Sequence, residues 1–298
     1  MHIRLMLTEE EIEWTIKAGK ITREVRNRIK YFIKEKMKIL ELCEIIEGEI
    51  RRLGGEPAFP CNIGIDYVGA HYTSPPKDDS IINYGSLIKI DFGAHVNGLI
   101  ADTAITISLE SDYEEMVDVA EEALDKALEV INIGMKVSDI GGIIEKVINS
   151  YGYKPISNLT GHSISRYMIH SGISIPNISG IHPGRIESWS IYAIEPFVTL
   201  FDAKGEVING PPGNILHIVK LKGPKDQKIK EYFDEIFRRY RTLPFARRWI
   251  NIPEVILENF MKNKILYEYP ILIEATRKPV AQAEHTILTT DKEVILIT

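Results

Sequence analysis

Asp91, Asp102, His162, Glu195 and Glu284 offer, in chain order, four carboxylates and one imidazole. Oxygen donors with one borderline nitrogen suit divalent ions such as Co, Mn, Fe, Zn or Ni, whereas structural zinc sites use thiolates. Two ions sharing carboxylates polarise an oxygen and generate hydroxide near neutral pH, which is hydrolytic chemistry. Whether the five side chains converge depends on the elements that carry them.

The run Lys89-Ile90-Asp91-Phe92-Gly93-Ala94-His95-Val96-Asn97-Gly98-Leu99-Ile100-Ala101-Asp102 centres on Asn97-Gly98. That dipeptide favours a two-residue type I′ hairpin, which needs two positive φ angles. Val96 then faces Leu99, and Gly93 faces Asp102. Asp91 lies two residues before Gly93, on the same face, so the aspartates become diagonal neighbours roughly 7–8 Å apart. A cation between them relieves the repulsion of two like charges. By itself such a pair would read as ordinary strand-end aspartates.

More groups follow. His162 comes after Gly161, and His170 follows eight residues later. One histidine is usually structural; two allow one on a metal and one beside a substrate. Glu195 stands in Ala193-Ile194-Glu195-Pro196-Phe197, and Glu284 in Val280-Ala281-Gln282-Ala283-Glu284. An unpaired charge buried in such an apolar strand costs several kcal/mol, and a metal would satisfy both. His285 alternates to the opposite face and is not counted.

The 298 residues allow one large α/β domain or two smaller ones. With 44% hydrophobic and 26% charged residues the chain is globular. The net charge of −6 argues against nucleic acid as the main partner. No apolar run reaches the roughly 18 residues a membrane span needs, and Met1–Leu7 lacks the apolar core of a signal peptide. Cys43 and Cys61, the only cysteines, are expected as free thiols in a cytoplasmic protein.

Thr8-Glu9-Glu10-Glu11 reads as a capping box opening a helical stripe through Ile12, Ile16, Val25, Ile29, Phe32 and Ile33. A second stripe runs from Leu42 to Leu53 and stops at Gly54-Gly55. Residues 59–110 read as strands, 112–132 and 138–150 as helices, and 156–210 as short strands. Residues 224–265 read as helical with breaks at Pro244 and Pro253, and 279–298 as a hairpin around Asp291-Lys292. The stretch 222–249 carries nine positive side chains against four negative ones. A solvated helix face is the plain reading; a contact for an acidic partner such as ribosomal RNA is the sharper one.

The segments KIDFGAHVNGLIADTA (89–104), GHSISRYMIH (161–170), IEPF (194–197) and VAQAEHTI (280–287) resemble the metal-binding segments of methionine aminopeptidases, and GAHYTS (69–74) the segment with that family's first substrate-side histidine. The 89-residue gap from Glu195 to Glu284 and the run TLPFARRW (242–249) resemble the type II branch with its inserted subdomain. The resemblance covers nearly the whole chain. It implies an α/β (α+β) pita-bread fold of two pseudo-symmetric halves around a dinuclear metal site. Residues 1–209 and 272–298 would form the catalytic domain, and 210–271 an inserted helical, winged-helix-like subdomain.

The resemblance also implies roles. Asp91 would chelate one ion, Asp102 and Glu284 would bridge both, and His162 and Glu195 would complete the other. Two divalent ions would activate a water that attacks the first peptide bond. Glu195 would take the water's proton, His170 would stabilise the oxyanion, and His71 would serve the leaving amine. Phe59, Ile169 and Tyr269 would line the methionine pocket beside His71 and His170. Substrates would be N-terminal methionyl peptides and nascent chains with a small second residue, cleaved by a monomer; ribosome contact through the basic insert is expected from its charge and a cytoplasmic location from the free thiols. Gly64, Asp66, Gly69, Ser74 and Asn97 depart from the usual type II residues, and none is a ligand. Two alternatives stand beside this: a prolidase-type dipeptidase with a similar ligand set, and a non-catalytic relative that binds RNA or protein. Only 90 residues precede Asp91, which leaves no room for a prolidase's extra N-terminal domain, and all five ligands are present.

Overall fold

The computed structural model describes residues 7–298, so the reading of Met1–Leu7 as lacking a signal segment lies, but for Leu7, outside the described residues. In chain order the elements are α1 (Glu9–Ile29), α2 (Ile39–Arg52), β1 (Glu56–Pro57), β2 (Asn62–Ile65), β3 (Val68–Ala70), β4 (Leu87–Val96) and β5 (Leu99–Ser108). Then come α3 (Glu114–Val130), α4 (Val137–Ser150), β6 (Tyr153–Pro155), β7 (Thr160–Ile164), β8 (Ser174–Pro176), β9 (Ser190–Ile194), β10 (Phe197–Leu200) and β11 (Val207–Ile218). The last are α5 (Gln227–Tyr240), β12 (Phe245–Ala246), α6 (Glu254–Lys262), β13 (Leu266–Glu274), β14 (Val280–Gln282), β15 (His285–Thr289) and β16 (Val294–Leu296).

Two helix pairs back two groups of antiparallel strands. The apolar stripe of α1 packs on β4 and β5, and α2 packs beside α1. Ile29, Leu42, Ile46, Ile50, Ile63, Ile90 and Phe92 share one core there. α3 and α4 pack together over β6, β8, β10 and β14, with Leu124, Ile140, Ile144, Tyr192 and Ile287 in a second core. The Thr8 capping box forms, its side chain accepting from the Glu11 N–H. The first helix ends at Ile29, and Phe32 and Ile33 lie beyond it while still packing on the first core.

The halves meet along a seam of threonines. Thr286 Oγ1 accepts the Asp102 N–H at 2.8 Å and donates to the Asp102 carbonyl at 2.7 Å. Thr106 does the same for Gln282, and Thr103 Oγ1 donates to the Glu284 carbonyl at 2.8 Å. Each buried hydroxyl thus satisfies backbone groups that strand pairing leaves over.

Residues 224–265 are helical in α5 and α6, but a short strand, β12, intervenes and pairs with β11. Phe233, Ile236, Phe245, Leu257 and Phe260 give this region its own core. β11 and β13 run across positions 210 and 271, pair with each other, and join β3. No helix among the described residues is long and apolar enough to cross a membrane.

Candidate metal centre

The β4–β5 hairpin forms in the register set by Asn97-Gly98. Val96 pairs with Leu99 and Gly93 with Asp102, with φ of 50° and 86° at the two turn residues. Asp91 and Asp102 therefore stand diagonally on one face. Gly93 lies between them because a Cβ there would sit 2.7 Å from the Phe59 ring, so Phe59 closes over the gap.

Glu195 and Glu284 are not inside strands as the sequence suggests. Each sits at a break where the chain changes sheets. β9 pairs with β15, whereas β10 pairs with β14, and Glu195-Pro196 and Ala283-Glu284 are the two crossovers. Pro196 has no N–H and cannot continue the ladder. The Ala283 N–H bonds the Pro196 carbonyl and the Glu284 N–H bonds the Ala104 carbonyl. Diverging sheets open a cavity there, and both carboxylates point into its wall.

All ten residues singled out from the sequence line this one cavity of about 220 Å³: Phe59, His71, Asp91, Asp102, His162, Ile169, His170, Glu195, Tyr269 and Glu284. Ligand atoms of Asp102, His162 and Glu284 lie within 4.8 Å of one another. Glu195 Oε1 is 3.4 Å from His162 Nε2, and Asp102 Oδ2 is 3.8 Å from it. His170 packs edge-on against His162 with ring centroids 4.2 Å apart, and His71 against Tyr269 at 5.2 Å.

The electrostatics of the cluster are unfavourable without a cation. Burial pushes the Asp91 carboxyl up to about 7. Burial and the neighbouring carboxylates hold Asp102, Glu195 and Glu284 well above the usual range. Burial, then His170, holds His162 well below its ordinary value. Among the described residues two side-chain amides answer the charge, with the Thr103 N–H on Asp102: Asn62 donates to Asp91 at 3.2 Å, and Gln282 reaches Glu195 and Glu284 at 3.4 Å each. Asp91 Oδ1, Asp102 Oδ1 and Glu284 Oε1 are buried without a partner. Buried acceptors that lack donors cost free energy, and divalent cations supply the missing charge. The donor set fits them.

Asn62, Gln282, Thr286 and His217 were not singled out from the sequence. Gln282 could have been, because it lies two residues before Glu284 and so shares its face. Asn62 pairs with Asp91 only through the β2–β4 register. His217 lies tilted against Tyr269 with ring centroids 5.0 Å apart. Ile215, Pro244 and Leu272 add apolar surface to the cavity wall.

Comparison with known proteins agrees with this geometry. A family model described as metallopeptidase family M24 matches residues 13–290. A methionine aminopeptidase of Methanocaldococcus jannaschii is 43% identical over 97% of this chain and 99% of the relative. One of Saccharolobus solfataricus is 40% identical over 98% and 99%. The crystal structure of a methionine aminopeptidase from Thermotoga maritima matches with a TM-score of 0.72 at 20% identity, covering 99% of this chain and 98% of that one. At that identity the likeness speaks for the fold, the pita-bread arrangement of two helix-backed halves around a central cavity. With a family match over almost its whole length and relatives at 40% identity and above, the chain belongs to metallopeptidase family M24.

Proposed function

We propose that the chain removes the N-terminal methionine from peptides and nascent proteins. The observation that carries this reading is one cavity lined by five ligand-type side chains, two further histidines, and the apolar Phe59, Ile169 and Tyr269. The name shared by the curated relatives supports it. Two divalent ions, of Co, Mn, Fe, Zn or Ni, would be held by Asp91, Asp102, His162, Glu195 and Glu284, with Asp102 and Glu284 shared. When bound, such ions lower the pKa of water towards neutrality and polarise a peptide carbonyl.

The chain's own groups do the rest. Glu195 would take a proton from the attacking water. Burial, then His170, lowers His71 to about 4, so it is a neutral imidazole at pH 7. A neutral ring has one N–H and one lone pair, and can hold the departing amine and relay a proton to it. His170 lines the cavity, and its pKa is lowered by the surrounding protein atoms and then by His217. It offers an N–H to the oxyanion that develops on the first carbonyl. The unbranched, polarisable methionine side chain suits the aromatic edges of Phe59 and Tyr269.

The test is release of free methionine from Met-Ala-Ser and Met-Arg-Ser by metal-stripped protein with each ion restored in turn. Met-Ala-Ser should be cleaved at least about tenfold faster, because a bulky second residue meets the metal-side wall. Equal rates, or no release with any of the five ions, would remove this reading.

The same reading takes 210–271 as an inserted subdomain of a cytoplasmic monomer, a location that the buried free thiols of Cys43 and Cys61 suit. The basic insert is proposed to touch ribosomal RNA. Arg247 and Arg248 do not contribute, because they pair with Glu254 and Glu47. Lys222, Lys225, Lys228, Arg238, Arg239 and Arg241 are exposed. Charge reversal of Arg238, Arg239 and Arg241 should abolish co-sedimentation with ribosomes, and an unmodified chain that never co-sediments would end the idea.

A further inference from the structure

Arg248 and Glu47 form an ion pair whose side chains are only 6% and 3% exposed. Neither residue lines the cavity. Arg248 comes from a 3-10 turn, Arg247–Trp249, in the inserted region, and Glu47 from α2. Arg248 Nη1 also donates to Thr73 Oγ1 at 2.7 Å and to the Ser74 carbonyl at 3.0 Å. Thr73 Oγ1 in turn donates to the Cys61 carbonyl at 2.7 Å. Glu47 accepts the Cys61 N–H at 3.2 Å and the Trp249 indole N–H at 2.8 Å.

Three segments of this network lead within a few residues to the cavity. Thr73 is two residues from His71, and Cys61 is next to Asn62, which holds Asp91. Arg248 is four residues from Pro244 in the cavity wall. His71 itself has a φ of 63°. A non-glycine residue keeps that conformation only when its surroundings over-determine it. Stability alone gives little reason to bury an ion pair here, because packed apolar residues of similar volume often do as well or better. A planar guanidinium offers something else: fixed donors that reach several acceptors at defined angles.

We propose that Arg248 is a positioning residue for the reaction, locking the inserted region and the His71 segment onto the metal-side sheet. The inference rests on the aminopeptidase reading, since it assigns Arg248 an effect on that activity. Arg248→Met and Arg248→Lys are compared with the unaltered enzyme for kcat and KM on Met-Ala-Ser, bound metal and thermal midpoint. Arg248→Met should bind wild-type amounts of metal yet lose at least about tenfold in kcat, as a 1 Å misplacement can. Arg248→Lys keeps a charge for Glu47 but cannot also reach Thr73 and Ser74. It should restore most of the thermal midpoint without restoring kcat. A purely structural residue would recover both together, and that result overturns the proposal.

If Arg248→Met fails to fold, Thr73→Val serves instead. It removes the hydroxyl between Arg248 and Cys61 while leaving the ion pair, and should lower kcat severalfold with wild-type metal still bound. A kcat within twofold of wild type in that variant also overturns the proposal. An unaltered enzyme that releases no methionine at all removes the aminopeptidase reading itself, and the proposal with it.

Discussion

Asp102→Asn should yield a folded chain that holds little divalent metal and releases methionine at least about a hundredfold more slowly. Loss of a group that merely orients a ligand already costs 10–100-fold in metal affinity or activity, and Asp102 stands among the ligand-type atoms themselves. The fold should persist because Asn is the same shape and because Thr286 grips the peptide N–H and carbonyl of residue 102, not its side chain. The metal-free variant should even melt at or above the metal-free parent. Asp91 raises the Asp102 carboxyl, and the Asp102 charge in turn raises Glu195 and Glu284 in a buried space; an amide at 102 removes that charge. Atomic emission after dialysis, with melting curves with and without metal, checks both halves. Wild-type metal content in the variant would place the ions elsewhere.

Glu195→Gln should lower kcat by about 10²–10⁴-fold, the range general acid–base catalysis contributes. Glu195 has two separable duties in the proposed scheme. As a ligand it faces His162 Nε2 at 3.4 Å, and its loss weakens metal binding. As a base it takes a proton, which an amide cannot do. Raising the metal concentration restores occupancy and not proton transfer. Rates measured at saturating metal therefore isolate the second duty. Recovery of the wild-type kcat there would leave Glu195 a ligand only and assign the proton to another group.

The parts of this site that were legible in the sequence are those fixed by local rules. Asn97-Gly98 dictates a two-residue turn, the turn dictates the register, and the register puts Asp91 and Asp102 on one face. Alternation also sends His285 away from Glu284; its ring bonds Thr298 and approaches Arg26. The strand breaks at Glu195 and Glu284 were not legible. Their flanks are apolar and strand-like, and apart from Pro196 the change of sheet has no local mark, because the two crossovers lie beside each other only in the folded chain. Asn62 likewise has no local mark, since its meaning comes from pairing with β4.

The inserted region shows the same division. Its helices were legible from their periodicity, and α5 and α6 form where it points. Its charge was misleading in part. Arg248 reads as one more cation in a basic run, yet it is buried against Glu47, 201 residues away in the chain. Spacing cannot reveal a partner at that separation. The apolar wall built by Ile215, Pro244 and Leu272 was hidden for a similar reason, because it exists only once β11 and β13 pair beside β3.

The central claim is that these five side chains hold two ions, and counting ions tests it most directly. Metal-stripped protein would be titrated with Co²⁺, followed by calorimetry and by the visible absorption of the bound ion. Two equivalents per chain, with methionine release appearing as they fill and both lost in Asp102→Asn, is the predicted result. No binding above the level of Asp102→Asn, or methionine release at full rate in the stripped protein, would contradict it.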